Sequence, residues 1–172
     1  MKKIHTLGLI MFAFIFVSNS ACAQDKKDRP SPPKTAEATL ASGTVTIDYG
    51  SPAVKGRSIW GDLVPYNKIW RTGANEATTI MLEKDMKVGG ELVRAGKYAL
   101  FTVPGKDEWT VILNSEWDQW GAYNHDESKD VHSFKVRPRM VKDMQERLLF
   151  EISESGTVTL MWENLAVSFD IG

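Results

Sequence analysis

Arg71 and Asn75 flank Gly73 in the run Trp70-Arg71-Thr72-Gly73-Ala74-Asn75. A guanidinium offers a planar fork of donors, and a carboxamide both donates and accepts. Held in fixed geometry, the two can grip a carboxylate, a phosphate or a sugar hydroxyl. Apolar residues anchor the loop on both sides: Ile59, Leu63 and Val64 before it, Ile80 and Leu82 after it. Arg57, just ahead of Trp60, is placed to join the pair. The opposing reading is internal. Arg71 pairs with Glu76 or Asp62 and pins the loop, because buried arginines usually have a partner inside the protein.

A second cluster runs from Asn124 to His132, with His125 and His132 among Asp126, Glu127 and Asp130. His125, Asp130 and His132 have the right atoms to ligate a divalent metal, or to serve as an acid/base pair. Their spacing matches no metal motif. The same residues also read as an exposed acidic loop ahead of a strand over 131–136.

Six tryptophans are many for 172 residues. Flat indole faces stack on sugar rings, and they also fill cores. Trp109 and Trp162 fall in strand alternation and read as core. Trp117 and Trp120 lie in the irregular stretch 114–130 and read as surface candidates, with Tyr123 beside them. Trp70 is expected to support Arg71 from beneath. The chain has no Gly-x-Ser-x-Gly elbow, no His-Glu-x-x-His and no Gly-x-x-x-x-Gly-Lys loop. Acyl transfer of the elbow type, that zinc chemistry and phosphate cradling thus have no sequence support, and no cofactor is called for.

The elements that must position these residues read as β. Val45, Ile47 and Tyr49 alternate with Thr44, Thr46 and Asp48, the period of a half-buried strand. Further strands are expected over 78–82, 97–103, 108–113, 148–152, 158–162 and 165–171. In 97–103 and 108–113 both faces are apolar, which predicts central strands covered on both sides. Pro104-Gly105 between them suits a type II turn. Met140, Met144 and Leu148 at i, i+4 spacing allow at most one short helix, over 140–147. The fold class is all-β, a single antiparallel β-sandwich or jelly-roll-like barrel over 36–172.

The first residues carry an address. Lys2 and Lys3 precede the apolar run 7–17, which is too short to span a bilayer comfortably. Ser20-Ala21-Cys22-Ala23 then predicts a signal peptide over 1–23, cleaved near Ala23, and a periplasmic or secreted domain. Cys22 offers the alternative of a lipid-anchored protein, although Asn19 stands where such signals usually carry a leucine-like residue. Residues 24–35, rich in proline and charge, read as a flexible tether. Cleavage removes the only cysteine, and with Lys2 and Lys3 it moves the net charge from −1 to about −3. That balance disfavours nucleic acid and anionic membranes as partners. No second apolar run is long enough to cross a membrane.

Several longer runs resemble one family. They are Ser51-Pro52 with Gly56-Arg57, Leu63-Val64-Pro65-Tyr66, Trp70 through Thr78, Ala95 through Gly105, Glu108-Trp109-Thr110-Val111, and Trp120-Gly121 with Tyr123 and Lys129-Asp130-Val131. The chain resembles the exported bacterial domain-of-unknown-function family numbered twenty-nine-eleven over nearly all of the region after the leader. The resemblance implies a compartment and an architecture rather than an activity.

Three functions fit these observations. The first is a non-catalytic envelope module that binds a small polar ligand, a glycan or a partner protein through Trp70, Arg71 and Asn75, with Arg57, Trp120, Tyr123, His125 and Asp130 completing the surface. The second is a metal-assisted or carboxylate-based hydrolase using His125, Asp130 and His132. The third is a structural envelope subunit.

Overall fold

A computed structural model describes residues 28–172. The expected export signal, its expected cleavage near Ala23, the Cys22 alternative and residues 24–27 of the expected tether lie outside the described residues. Ten strands follow in order: β1 (Pro33–Leu40), β2 (Gly43–Gly50), β3 (Thr79–Leu82), β4 (Met86–Val88), β5 (Glu91–Val93), β6 (Gly96–Val103), β7 (Trp109–Asn114), β8 (Asp130–Val136), β9 (Arg139–Ile152) and β10 (Thr157–Asp170). No helix among the described residues is long and apolar enough to cross a membrane.

Six strands form one antiparallel sheet in the order β1-β2-β3-β6-β7-β8. Its inner face follows the apolar side of each alternation: Val45, Ile47 and Tyr49 on β2, Ile80 and Leu82 on β3, Leu100 on β6, Val111 and Leu113 on β7. These residues meet Leu148, Phe150, Val158, Leu160, Trp162 and Phe169 from the β9–β10 hairpin. The β4–β5 hairpin extends that second layer through a bridge between Val88 and Ile171. The architecture is a β-sandwich, and its core lies between the two layers. On the outer face a smaller apolar cluster, Ala99, Phe101 and Ile112, is covered by Ala77, Ile69 and Ala122 from loops. β6 and β7 are thus interior strands buried on both sides, as their composition predicts.

Three local expectations are corrected. Residues 140–147 are not helical but belong to β9. The register shifts twice: β9 advances four residues, Leu149 to Gln145, while β10 advances two, Met161 to Glu163, and then five, Gln145 to Met140, while β10 advances two more to Leu165. Met144 falls in the second shift and is 55% exposed, and Met140, paired with Leu165 at its end, is 76% exposed. The methionine spacing that mimicked a helix is therefore a bulge. Secondly, Gly105 does not adopt the positive φ that a type II turn requires of it. Glycine is required there because an added Cβ would lie 2.2 Å from the Glu108 carbonyl oxygen. Thirdly, the expected tether is structured from Arg29 onward. β1 begins at Pro33, Ser51 donates its N–H to Pro32 O at 2.9 Å, and Asn75 Nδ2 donates to Ser31 O at 2.9 Å.

Two surface carboxylates tie loops down. Asp126 accepts from Ser128, whose hydroxyl and N–H hold its carboxyl below the ordinary 3.8. Glu83 accepts from the Thr44 N–H at 2.7 Å, which with the Thr44 hydroxyl holds it below the ordinary 4.5. A depressed carboxylate stabilises the fold above its ordinary pKa, and the stabilisation is lost as pH falls through the folded value. Urea midpoints are expected to decline below about pH 4, and the double variant Asp126→Asn/Glu83→Gln is expected to show a flatter decline. An unchanged acid slope in that variant would exclude these two groups as its source.

Candidate functional site

Strand register lays one row of residues across the outer face: Thr35, Asp48, Thr79, Ala99, Asn114 and Asp130. Directly opposed side chains in such a row touch. Thr35 Oγ1 donates to Asp48 Oδ1 at 2.8 Å at one end, and Asn114 Nδ2 donates to Asp130 Oδ1 at 2.7 Å at the other. The loop from Ser115 to Asp126 is tied to Asn114 at both ends, through the Glu116 N–H and Asp126 O, and its residues 117–119 wall a space over the Asp48 end.

This space is a cleft of about 340 Å³. Its charges are balanced, with Arg29, Lys34 and Lys97 against Asp48, Glu76 and Asp118. Arg29 Nη1 lies 2.9 Å from both oxygens of Glu76, and Lys97 Nζ lies 3.7 Å from Asp48 Oδ2. Asn75, Gln119 and Trp117 also line it. Trp117 is 42% exposed, and Lys97 Nζ sits 4.8 Å from its ring centre. Trp120, 55% exposed, has the Arg29 guanidinium carbon 5.9 Å from its ring centre. Each indole is therefore held by a cation at its ring. Gln119 is buried; its amide nitrogen donates to Glu116 O, and its Oε1 has no hydrogen-bond partner among the described residues.

The loop carrying Trp70–Asn75 is fastened from several sides. Thr72 and Asn75 adopt φ of 56° and 66°. Such conformations are costly for a β-branched residue and persist where surroundings enforce them. Here the Thr72 hydroxyl meets that of Thr102 at 3.1 Å, Thr72 O accepts from Thr78 Oγ1 at 3.0 Å, and Trp70 exchanges backbone bonds with Thr102. Trp70 Nε1 and Arg71 Nε both donate to Gly73 O, at 3.2 and 3.4 Å. Asn75 O accepts from Gly121 N–H, and Gln119 O from Ala77 N–H, which joins this loop to the one bearing Trp117 and Trp120.

The predicted site residues are thus divided. Asn75 lines the cleft, and Trp120 stands at its rim against Arg29. Trp70 does lie inside, stacked at 6.1 Å on Trp162. Arg71 is partly buried and pairs with neither Glu76 nor Asp62; Glu76 takes Arg29. Arg71 does not line the cleft; a Cβ added at Gly121 would lie 3.0 Å from its Nη1 and 2.9 Å from the ring of Tyr123, which is 84% exposed. Arg57 caps the carbonyls of Val54 and Ala53 and does not line the cleft. His125 Nε2 pairs with Asp130 Oδ1 at 2.9 Å, but the His125 side chain is only 9% exposed and rests edge-on against Phe101.

His132 does not join His125 and Asp130. Leu113 pairs with His132 and Asn114 with Asp130, so Val131 is an extra residue in β8. That bulge puts Asp130 on the outer face and His132 on the inner one, where its ring stacks on Phe134 and its Nε2 meets Val88 O at 2.9 Å. Among the described residues no group of three His, Cys, Asp or Glu side chains is placed to hold a metal ion.

Arg29, Thr35, Asp48, Lys97 and Gln119 were invisible as site residues in the sequence. Thr35, Asp48 and Lys97 sit on the polar side of strands and look like any solvated face. Only the cross-strand register, not a linear signal, brings them together.

No curated protein and no solved structure shows a significant match to the chain. The sequence model of the family described as "Protein of unknown function (DUF2911)" matches residues 31–171, from the segment that hooks onto Asn75 to the end of the second layer. That span takes in the whole sandwich and every cleft residue except Arg29, and the chain belongs to the DUF2911 family.

Proposed function

We propose that the chain is an exported envelope protein whose sandwich is a non-catalytic binding module, and that a small polar ligand occupies the outer-face cleft. The leader pattern over 1–23 supports export to the periplasm or beyond. One observation carries the binding reading: paired charges of both signs, two carboxamides and a half-exposed indole converge on a cleft of about 340 Å³. Concave sites with a few convergent polar groups, of about 300–1,000 Å³, are where small ligands bind. The volume stands at the lower end of that range, which suits one or two small rings.

A thermal-shift screen tests this. The panel holds oligosaccharides, peptidoglycan fragments, amino acids, organic anions and divalent metals with and without chelator. A ligand at 100 times its Kd is expected to stabilise the protein by about 2.7 kcal/mol. The shift should vanish in Asp48→Asn/Lys97→Met and survive in Arg71→Ala. A shift that survives in the cleft variant and vanishes in Arg71→Ala would move the site to Arg71 and Tyr123 beside Gly121.

A further inference from the structure

We infer that the ligand of this cleft is an uncharged glycan, with one pyranose ring stacked on Trp117 and the next reaching toward Trp120. The inference rests on the cleft being the binding site, and it adds the chemical class. Three features carry it.

The first is the two indoles. Exposed tryptophans normally lose rotamer freedom when they bind. Here Lys97 at 4.8 Å and Arg29 at 5.9 Å hold each ring in place. Both tryptophans remain substantially exposed, at 42% and 55%. A preordered apolar plate beside hydrogen-bonding groups matches a sugar ring, which has an apolar C–H face and a polar rim. Trp117 and Trp120 are three residues apart, so their Cα atoms are at most about 10 Å apart. Neighbouring rings of one chain can reach both.

The second is the charge balance. The three cations lining the cleft face three anions, and the central ones are already paired as Arg29–Glu76 and Lys97–Asp48. A phosphate, a carboxylate or a zwitterion has to compete with those pairs and finds no excess of either sign. A hydroxyl both donates and accepts, so it bonds to Asp48 or Lys97 while leaving the pair intact.

The third is the lining of amides and hydroxyls. Thr35, Thr79, Asn75 and Gln119 surround the same space. Gln119 Oε1 is a buried acceptor without a partner among the described residues. Groups of this kind discriminate by the hydroxyls they satisfy.

The test is calorimetric titration of the purified protein with uncharged gluco-, manno- and N-acetylglucosamine-type saccharides of one to four units. Acetate, phosphate and glycylglycine serve as charged probes. Affinity is expected to rise from one unit to two and then to level off. Trp117→Ala should weaken it about tenfold with an unchanged melting temperature, and Trp117→Tyr should retain most of it. Binding of a charged probe that Asp48→Asn/Lys97→Met abolishes, with no saccharide bound, would overturn the glycan assignment and leave the cleft as the site. Saccharide binding that neither Trp117→Ala nor Trp120→Ala weakens would overturn the stacking assignment. No binding by any probe would overturn both the glycan and the cleft.

Discussion

Replacing Trp109 with alanine is expected to cost about 3–5 kcal/mol, a large part of the total stability of a domain this size. Trp109 is completely buried. Its ring centre lies 5.0 Å from that of Trp60 and 6.2 Å from that of Trp70, and both of those contact Trp162, at 5.8 and 6.1 Å. The four indoles join β7 of the large sheet to β10 of the second layer and to the two loops between β2 and β3. Alanine would strip one side from this cluster and leave a cavity that the rigid rings of Trp60 and Trp70 cannot collapse to fill. The indole N–H groups of Trp60, Trp109 and Trp162 have no hydrogen-bond acceptor among the described residues. Their rings meet mostly at 60–83°, which presents edges to the neighbouring π faces as weak substitutes for an acceptor. Urea denaturation of Trp109→Ala beside Trp117→Ala checks the division of the tryptophans. The second variant should change stability by no more than about 0.5 kcal/mol. Equal effects would mean that Trp117 is structural and its exposure incidental.

Gly50→Ala is expected to be nearly as damaging, at about 3 kcal/mol, and to act on binding as well. An added Cβ at Gly50 would lie 2.1 Å from the Ala74 carbonyl oxygen. This is backbone against backbone, so no rotamer change relieves it. Gly73 lies on the same contact: a Cβ there would meet Thr78 Oγ1 at 2.8 Å and Gly50 O at 3.0 Å. The two glycines allow the Trp70–Asn75 loop to lie against the end of β2, where Ala74 N–H donates to Gly50 O at 3.2 Å. Pushing Ala74 away displaces Asn75 and loosens its bond to Ser31 O. Denaturation and the ligand-induced thermal shift, measured together, should both fall. A variant as stable as the parent would show that the loop is not pinned at this point.

The layers of the sandwich were legible because alternation reports burial directly. Val45, Ile47 and Tyr49 point inward as their spacing requires, and the doubly apolar β6 and β7 are interior strands. Both bulges defeated the period. Two register shifts that give β9 surplus residues made Met140 and Met144 look helical, and one extra residue, Val131, reversed the face of His132 relative to Asp130. A single added residue moves every later side chain to the other face, and no local signal marks it. The candidate site was half legible. Asn75 and Trp120 stand at or in the cleft because a loop concentrates polar and aromatic residues within a short run. Asp48, Lys97 and Arg29 come from distant positions in the chain and carry no such signature. Arg29 lies in a proline-rich stretch that composition alone reads as linker, and its contact with Glu76 spans 47 residues.

The most direct measurement is ¹⁹F NMR of the protein labelled with 5-fluorotryptophan, titrated with the saccharide panel. Each of the six tryptophans reports from its own place. A ligand in the outer-face cleft should shift the resonances of Trp117 and Trp120 and leave those of Trp60, Trp70, Trp109 and Trp162 where they are. Shifts confined to the four clustered indoles, or saturable binding that moves neither Trp117 nor Trp120, would contradict the cleft as the site.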